Sequence, residues 1–171
     1  MKIFAVSGSL REKSVNRTIL ECFAALAPSE CRIDSYDRLS DLAAFNPDVA
    51  DEDAPEPVTD LRARVAAADL VIISSPEYAS GPPGSLKNAL DWLVGTGEMY
   101  GKRAILAHPT TRAMRATESL ERTLNMMGAE VRTDAFVPVD LAEFAEGVTA
   151  RPKFEAAVAQ AFERLSEAER A

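Results

Sequence analysis

The chain has 171 residues, 47% of them hydrophobic and 27% charged, with a formal net charge of −8. That length suits a single domain over residues 1–171 with a core of its own, and the acidic balance excludes a nucleic-acid binder, which needs a basic face. No apolar run approaches a membrane span and no basic-then-apolar leader opens the chain, so a cytoplasmic protein without a membrane partner is expected.

Ile3–Val6 reads as the first strand. It leads through Gly8-Ser9-Leu10-Arg11-Glu12-Lys13-Ser14-Val15-Asn16 into a helix over about 15–27, whose Ile19, Cys22, Phe23 and Leu26 recur at i, i+3, i+4, i+7. A strand, a small-residue loop and a helix form an anion site in open α/β folds, because helix N-terminal amides and the helix dipole face the ligand. Ser9, Ser14 and Asn16 add neutral hydrogen-bonding groups and Arg11 adds a cation, an inventory suited to a phosphate monoester. The loop is neither the G-x-G-x-x-G of dinucleotide folds nor a Walker A loop. A plainer reading stays open: a polar turn in which Ser14 simply caps the helix.

Residues 31–36 alternate apolar and polar, as a half-exposed edge strand does. Residues 38–57 form a long acidic connection broken by Asn46-Pro47-Asp48 and Ala54-Pro55-Glu56-Pro57; its Asp51, Glu52, Asp53 and Glu56 lack calcium-loop spacing, and a solvated or mobile loop is expected. Thr59 is a candidate cap for a helix carrying Leu61, Val65 and Ala68. Leu70–Ile73 is a continuously apolar strand, the pattern of a sheet covered on both faces. Leu86, Ala89, Leu90 and Leu93 mark a helix, Ala104–Ala107 a fourth strand, and Leu120, Leu124 and Met127 a helix stopped by Gly128. Phe136–Val139 completes a fifth strand with Pro138 at its end or edge. Phe154, Val158, Ala161, Phe162 and Leu165 form the last helical stripe. Five such βα units predict a flavodoxin-like three-layer α/β/α sandwich with a five-stranded parallel sheet of order 2-1-3-4-5. Loops 8–16, 74–85 and 107–115 then converge at the strand C-termini.

The second of these loops, Ser74 to Gly84, holds three prolines and two glycines, so its backbone is stiff and can approach a flat ligand, with the Tyr78 ring available for stacking. Together the two loops resemble the NADPH-dependent FMN reductase family, which includes bacterial quinone and chromate reductases. The family's G-S-[LT]-R-x-x-S-x-N is matched by Gly8 to Asn16. Its P-E-Y-N-x-x-x-P-x-x-L-K-N-A-[IL]-D-W is matched from Pro76 to Trp92, except that Ala79 stands where Asn is usual. The resemblance covers about residues 1–145. It implies FMN phosphate contacts from Ser9, Arg11, Ser14 and Asn16, and an isoalloxazine ring lying along Pro76, Glu77, Tyr78 and Ala79, mainly against backbone. Hydride then passes from NADPH or NADH through FMN to a small acceptor, and no side-chain catalyst is required.

The third loop, His108 to Arg115, lacks the glycine-rich turn usual in the family, and Thr110 and Thr111 are the candidates to replace its amides, with Arg112 a charge for the flavin. Arg112 and Arg115 read either as NADPH phosphate ligands or as solvated helix-start residues. His108 is the sole histidine, which excludes a multi-histidine metal site and favours a hydrogen-bonded structural role. Cys22 and Cys31 read as buried free thiols. Trp92 and Tyr100 fall where the family tends to dimerise, although core packing suits Trp92 as well, and a homodimer or homotetramer is implied. Two rival readings keep the fold. One is a flavodoxin-like electron carrier, whose phosphate loop is typically Thr-rich, unlike Ser9-Leu10-Arg11. The other is a family member with weakened flavin binding and a structural or regulatory role, motivated by Ala79 and the glycine-free third loop.

Overall fold

The computed structural model describes residues 1–49, 51–109, 114–145 and 149–168. Three strands, β1 (Lys2–Ser7), β3 (Leu70–Ser74) and β4 (Arg103–Pro109), form the middle of a parallel sheet, and β2 (Arg32–Tyr36) pairs with β1 at one edge. The place on the far side of β4 is shared. β5 (Glu130–Val131) pairs with the first half of β4 and β6 (Val137–Val139) with its second half. The order β2-β1-β3-β4-β5 is the one expected, and β6 makes a sixth strand because a 3-10 turn over Thr133–Ala135 divides the last position. Pro138 has no N–H to give to a further strand and sits in β6 at this edge.

The middle strands are apolar throughout because both faces are covered. Phe4, Val6, Val71, Ile73, Ala104 and Leu106 face one core, and Ile3, Ala5, Leu70, Ile72, Ile105 and Ala107 face the other. The first core is closed by α2 (Glu56–Ala67), α3 (Gly84–Val94) and α4 (Met114–Met126), and the second by α1 (Val15–Leu26) and α5 (Pro152–Ala168). At its C-terminus α4 ends in a Schellman motif: the Ala129 amide donates to the Leu124 carbonyl and the Gly128 amide to that of Asn125, both at 3.0 Å. Gly128 has φ +77, and a Cβ there would lie 2.6 Å from the Tyr100 ring.

Two sequence expectations are corrected. Thr59 does not cap α2; the helix starts at Glu56 behind Pro55, with Pro57 in the first turn where its missing N–H leaves no bond unmade, and Thr59 Oγ1 donates back to the Glu56 carbonyl at 2.9 Å. The acidic connection is exposed along residues 43–48 and at Asp51, Glu52, Asp53 and Glu56, as a solvated loop is, and it is also docked as a strap. Asn88 Nδ2 and Trp92 Nε1 both donate to the Ala43 carbonyl, at 2.9 and 2.8 Å, and the Phe45 amide donates to Asn88 Oδ1 at 2.7 Å. The Phe45 ring stands edge-on to Trp92. Carboxylates of the segment are engaged by arginines, Asp51 by Arg62 at 3.0 Å and Glu56 by Arg38 at 2.7 Å. Trp92 is core, while Tyr100 is exposed. Cys22 and Cys31 are thiols outside any disulfide and are half-buried, not buried.

Candidate active site

The first and second loops meet above the ends of β1 and β3. The Gly8 amide donates to the Ser74 carbonyl at 2.8 Å, carrying the β1–β3 ladder one residue past the strand. A Cβ on Gly8 would stand 2.8 Å from Ser75 Oγ and 3.0 Å from Leu86 Cδ2, so glycine is what allows this approach. Ser74 Oγ then donates to Asn16 Oδ1 at 3.0 Å. That bond fixes the Asn16 amide with its oxygen turned to the second loop and leaves Nδ2 as its remaining donor.

Within the first loop Ser9 and Ser14 are each only 5% exposed, while Arg11 is exposed. The loop is tightened by its own hydroxyls: the Ser9 amide donates to Ser7 Oγ at 3.2 Å and the Arg11 amide to Ser9 Oγ at 3.3 Å. Ser14 holds the N-cap position of α1 but makes no side-chain capping bond. Among the described residues no acceptor meets the amides of Val15, Asn16 and Arg17. First-turn amides ordinarily find a capping oxygen. Left open beside a buried, uncommitted hydroxyl, they favour the anion-site reading over the plain cap.

In the second loop Tyr78 and Gly81 exchange both backbone hydrogen bonds, at 2.9 and 3.0 Å, around a two-residue turn. Ala79 and Ser80 take φ +49 and +66 there, the pair of positive values that marks a type I′ turn. Asn and Gly suit such positions; alanine at positive φ is strained. Tyr78 is 51% exposed, and Pro76 lies half-buried below it. The Glu77 carboxylate points elsewhere: its Oε2 accepts the Ala116 amide at 3.1 Å, in the first turn of α4. Arg115 Nη1 donates to Ser80 Oγ at 3.2 Å, so Arg115 is tied to the second loop. These two contacts bind the start of α4 to the ring-side loop, a role for Glu77 and Ser80 that sequence reasoning did not find. Thr110, Thr111 and Arg112 lie outside the described residues. The His108 ring packs edge-on against Phe136 with centroids 5.8 Å apart, in keeping with a structural role.

Comparison with known proteins meets this geometry. The model of the NADPH-dependent FMN reductase family matches residues 1–144. The chain belongs to that family. Members of the NADPH-dependent FMN reductase family are oxidoreductases that use FMN and NAD(P)H. A 2-hydroxy-1,4-benzoquinone reductase from Burkholderia sp. is 41% identical over 92 residues, 54% of this chain and 49% of its own length. A quinone reductase of Escherichia coli K12 is 33% identical over 94 residues, 54% of this chain and 50% of its own. The chain thus spans about half the length of these curated relatives. The flavoenzyme NAD(P)H:(acceptor) oxidoreductase FerB from Paracoccus denitrificans superposes with a TM-score of 0.77 at 26% identity, covering 95% of this chain and 97% of that one.

The residues of the first two loops fit the family's cofactor. Open amides at Val15, Asn16 and Arg17, the buried Ser9 and Ser14 hydroxyls and the exposed Arg11 guanidinium form a donor set for a phosphate. Next to it the Pro76–Gly81 loop offers backbone and one half-exposed aromatic ring, as a flat heterocycle requires. Among the described residues no group of His, Cys, Asp and Glu could hold a metal ion, and no helix is long and apolar enough to cross a membrane.

Proposed function

We propose that the chain is an NAD(P)H-dependent FMN-binding reductase that delivers hydride equivalents to a quinone, a flavin or a similar small acceptor. The observation that carries this reading is the uncapped start of α1, where the Ser14 hydroxyl and three amides converge without a protein acceptor. Ser9, Arg11, Ser14 and Asn16 hold the phosphate in this reading. Pro76, Glu77, Tyr78 and Ala79 line the ring, chiefly through backbone, and Thr110 and Thr111 meet its polar edge. When bound, FMN supplies the chemistry, taking a hydride from NAD(P)H and passing electrons to the second substrate. The protein binds and orients: Asn16 is held by Ser74, and the second loop is held to α4 by Glu77. A quinone as acceptor is supported by the names of the curated relatives. Residues 1–171 act as one flavodoxin-like domain in the cytoplasm, as a homodimer or homotetramer, an association that the strongly exposed Tyr100 and Met126 would favour.

FMN titration followed by flavin fluorescence tests the reading. Arg11→Ala and Ser14→Ala each weaken FMN binding by about tenfold, the loss of one charge-assisted hydrogen bond. Unchanged affinity in both variants refutes the phosphate site. Mixing the loaded protein with NADH or with NADPH without oxygen bleaches the flavin; a colour that persists for minutes with both refutes the reductase.

A further inference from the structure

On the side of the first loop away from β3, the C-terminal ends of β1 and β2 open into a cleft of about 400 Å³. Its origin is the helix above it. On this face α1 packs across β1 and β3, and while Ile33 of edge strand β2 packs against the core beneath, Ser35 at the strand's C-terminal end is exposed. Ala5 pairs with Ser35 in the β1–β2 ladder, and with Ser7 these short side chains floor the cleft, while Leu20 and Leu39 wall it. Arg17 enters from α1 and Asp37 from the residue directly after β2. Neither has a hydrogen bond or ion pair with any described residue. By contrast Arg38, beside α2, and Arg64, on α2, are each held by two or more carboxylates. The volume is that of a small-molecule site, and open α/β sheets bind ligands at the C-terminal ends of their strands.

The chemistry of the lining selects a ligand. A carboxylate just past a strand end accepts two hydrogen bonds from a vicinal diol, the arrangement by which dinucleotide-binding sheets hold a ribose. Leucine walls suit a base and a free guanidinium suits a phosphate. Ser9 lines both this cleft and the first loop, so the two are continuous. We propose that the β1–β2 cleft is a second binding subsite for an adenylate group, with Asp37 taking the ribose diol and Arg17 the phosphate. The choice of adenylate among nucleotides rests on the proposed use of NAD(P)H; the diol and phosphate positions do not. NADH and FAD both carry an adenylate with a free diol, whereas NADPH does not, so the cleft discriminates against NADPH.

Amide NMR spectra of the FMN-loaded protein titrated with AMP test this. AMP shifts the amides of Ser35, Asp37 and Leu39 saturably, and both dideoxyAMP and the exposed-site variant Asp37→Asn weaken that binding by about tenfold. Absence of shifts at these amides, or equal affinity for AMP and dideoxyAMP, overturns the proposal. Asp37→Asn also assigns the source. A KM for NADH that rises about tenfold more than the KM for an adenylate-free dihydronicotinamide identifies the dinucleotide. A loss of FAD affinity relative to FMN identifies the flavin, and if neither moves the free nucleotide is the ligand. The AMP titration can be run on protein without flavin, so a failure to take up FMN refutes the reductase reading and leaves this one standing.

Discussion

The Ser74 hydroxyl donates to the Asn16 carboxamide oxygen at 3.0 Å, and that bond closes the first loop onto the second. Ser74 is fully buried, so Ser74→Ala strands the acceptor. The expected result is a loss of about 1–2 kcal/mol in urea unfolding together with weaker FMN binding, because phosphate and ring contacts lose their common register. FMN affinity that survives this stability loss would mean that the two loops hold the flavin independently.

Glu77 reaches across 39 positions of sequence to accept the Ala116 amide at the start of α4. A carboxylate there completes a helix cap and also faces the positive end of the helix dipole. Glu77→Ala is expected to lower stability by about 1 kcal/mol and to speed hydrogen exchange in the first turn of α4. Glu77→Gln keeps a neutral acceptor and recovers most of both effects. Exchange that is unaltered in the alanine variant would show the contact to be incidental.

Ala79 at φ +49 is, with Ser80 at φ +66, one of two non-glycine residues at positive φ in the ring-side turn. Asparagine tolerates that conformation better, so Ala79→Asn relieves roughly 1 kcal/mol. Calorimetry is expected to find the unfolding temperature raised by about 2–4 °C. A lower value would mean that the alanine methyl makes a compensating contact.

Glu143 is a buried carboxylate whose two oxygens accept the Lys153 and Phe154 amides, each at 3.0 Å, at the start of α5. Removing it leaves two donors open where α5 packs on the sheet, and Glu143→Ala is expected to cost about 2 kcal/mol in denaturant unfolding. FMN affinity is expected to stay near wild type, which separates this residue from the loop contacts.

The Tyr36 phenol is pushed up to about 12 from its ordinary 10.0, mainly by burial and next by the Asp60 charge. A raised pKa means that the folded state disfavours the phenolate. The contribution to stability is therefore complete below pH 10 and is lost as pH climbs toward 12. Ultraviolet difference titration of wild type against Tyr36→Phe is expected to show one phenol ionising near the upper value; a step centred at the ordinary value would contradict the burial effect.

Much of the architecture is legible because β1, β3 and β4 are buried on both faces and so read as unbroken apolar runs. Gly128 announced the end of α4 for the same kind of reason, since positive φ and the Tyr100 ring both demand glycine. What stayed hidden has little local signal. Glu130–Val131 is too short and too polar to show as a strand, and Pro55-Glu56-Pro57 starts a helix without the hydroxyl cap expected at Thr59. The loop residues proposed for the phosphate and ring follow from the resemblance of the two loops to the family's motifs. The bonds that hold them, Ser74 to Asn16 and Glu77 to Ala116, join distant positions and follow only from the folded chain.

Trp92 is the sole tryptophan, 2% exposed, and its indole N–H is tied to the Ala43 carbonyl of the strap. Intrinsic fluorescence of this protein is therefore a signal from one place. Its emission is expected to sit toward the blue while Phe45 and Arg62 flank the indole, and to shift red when residues 43–45 lift away. A melt followed at this wavelength watches the α2–α3 half of the molecule, while circular dichroism follows the secondary structure of the whole chain. Divergence of the two curves would reveal the strap parting from α3 before the sheet comes apart.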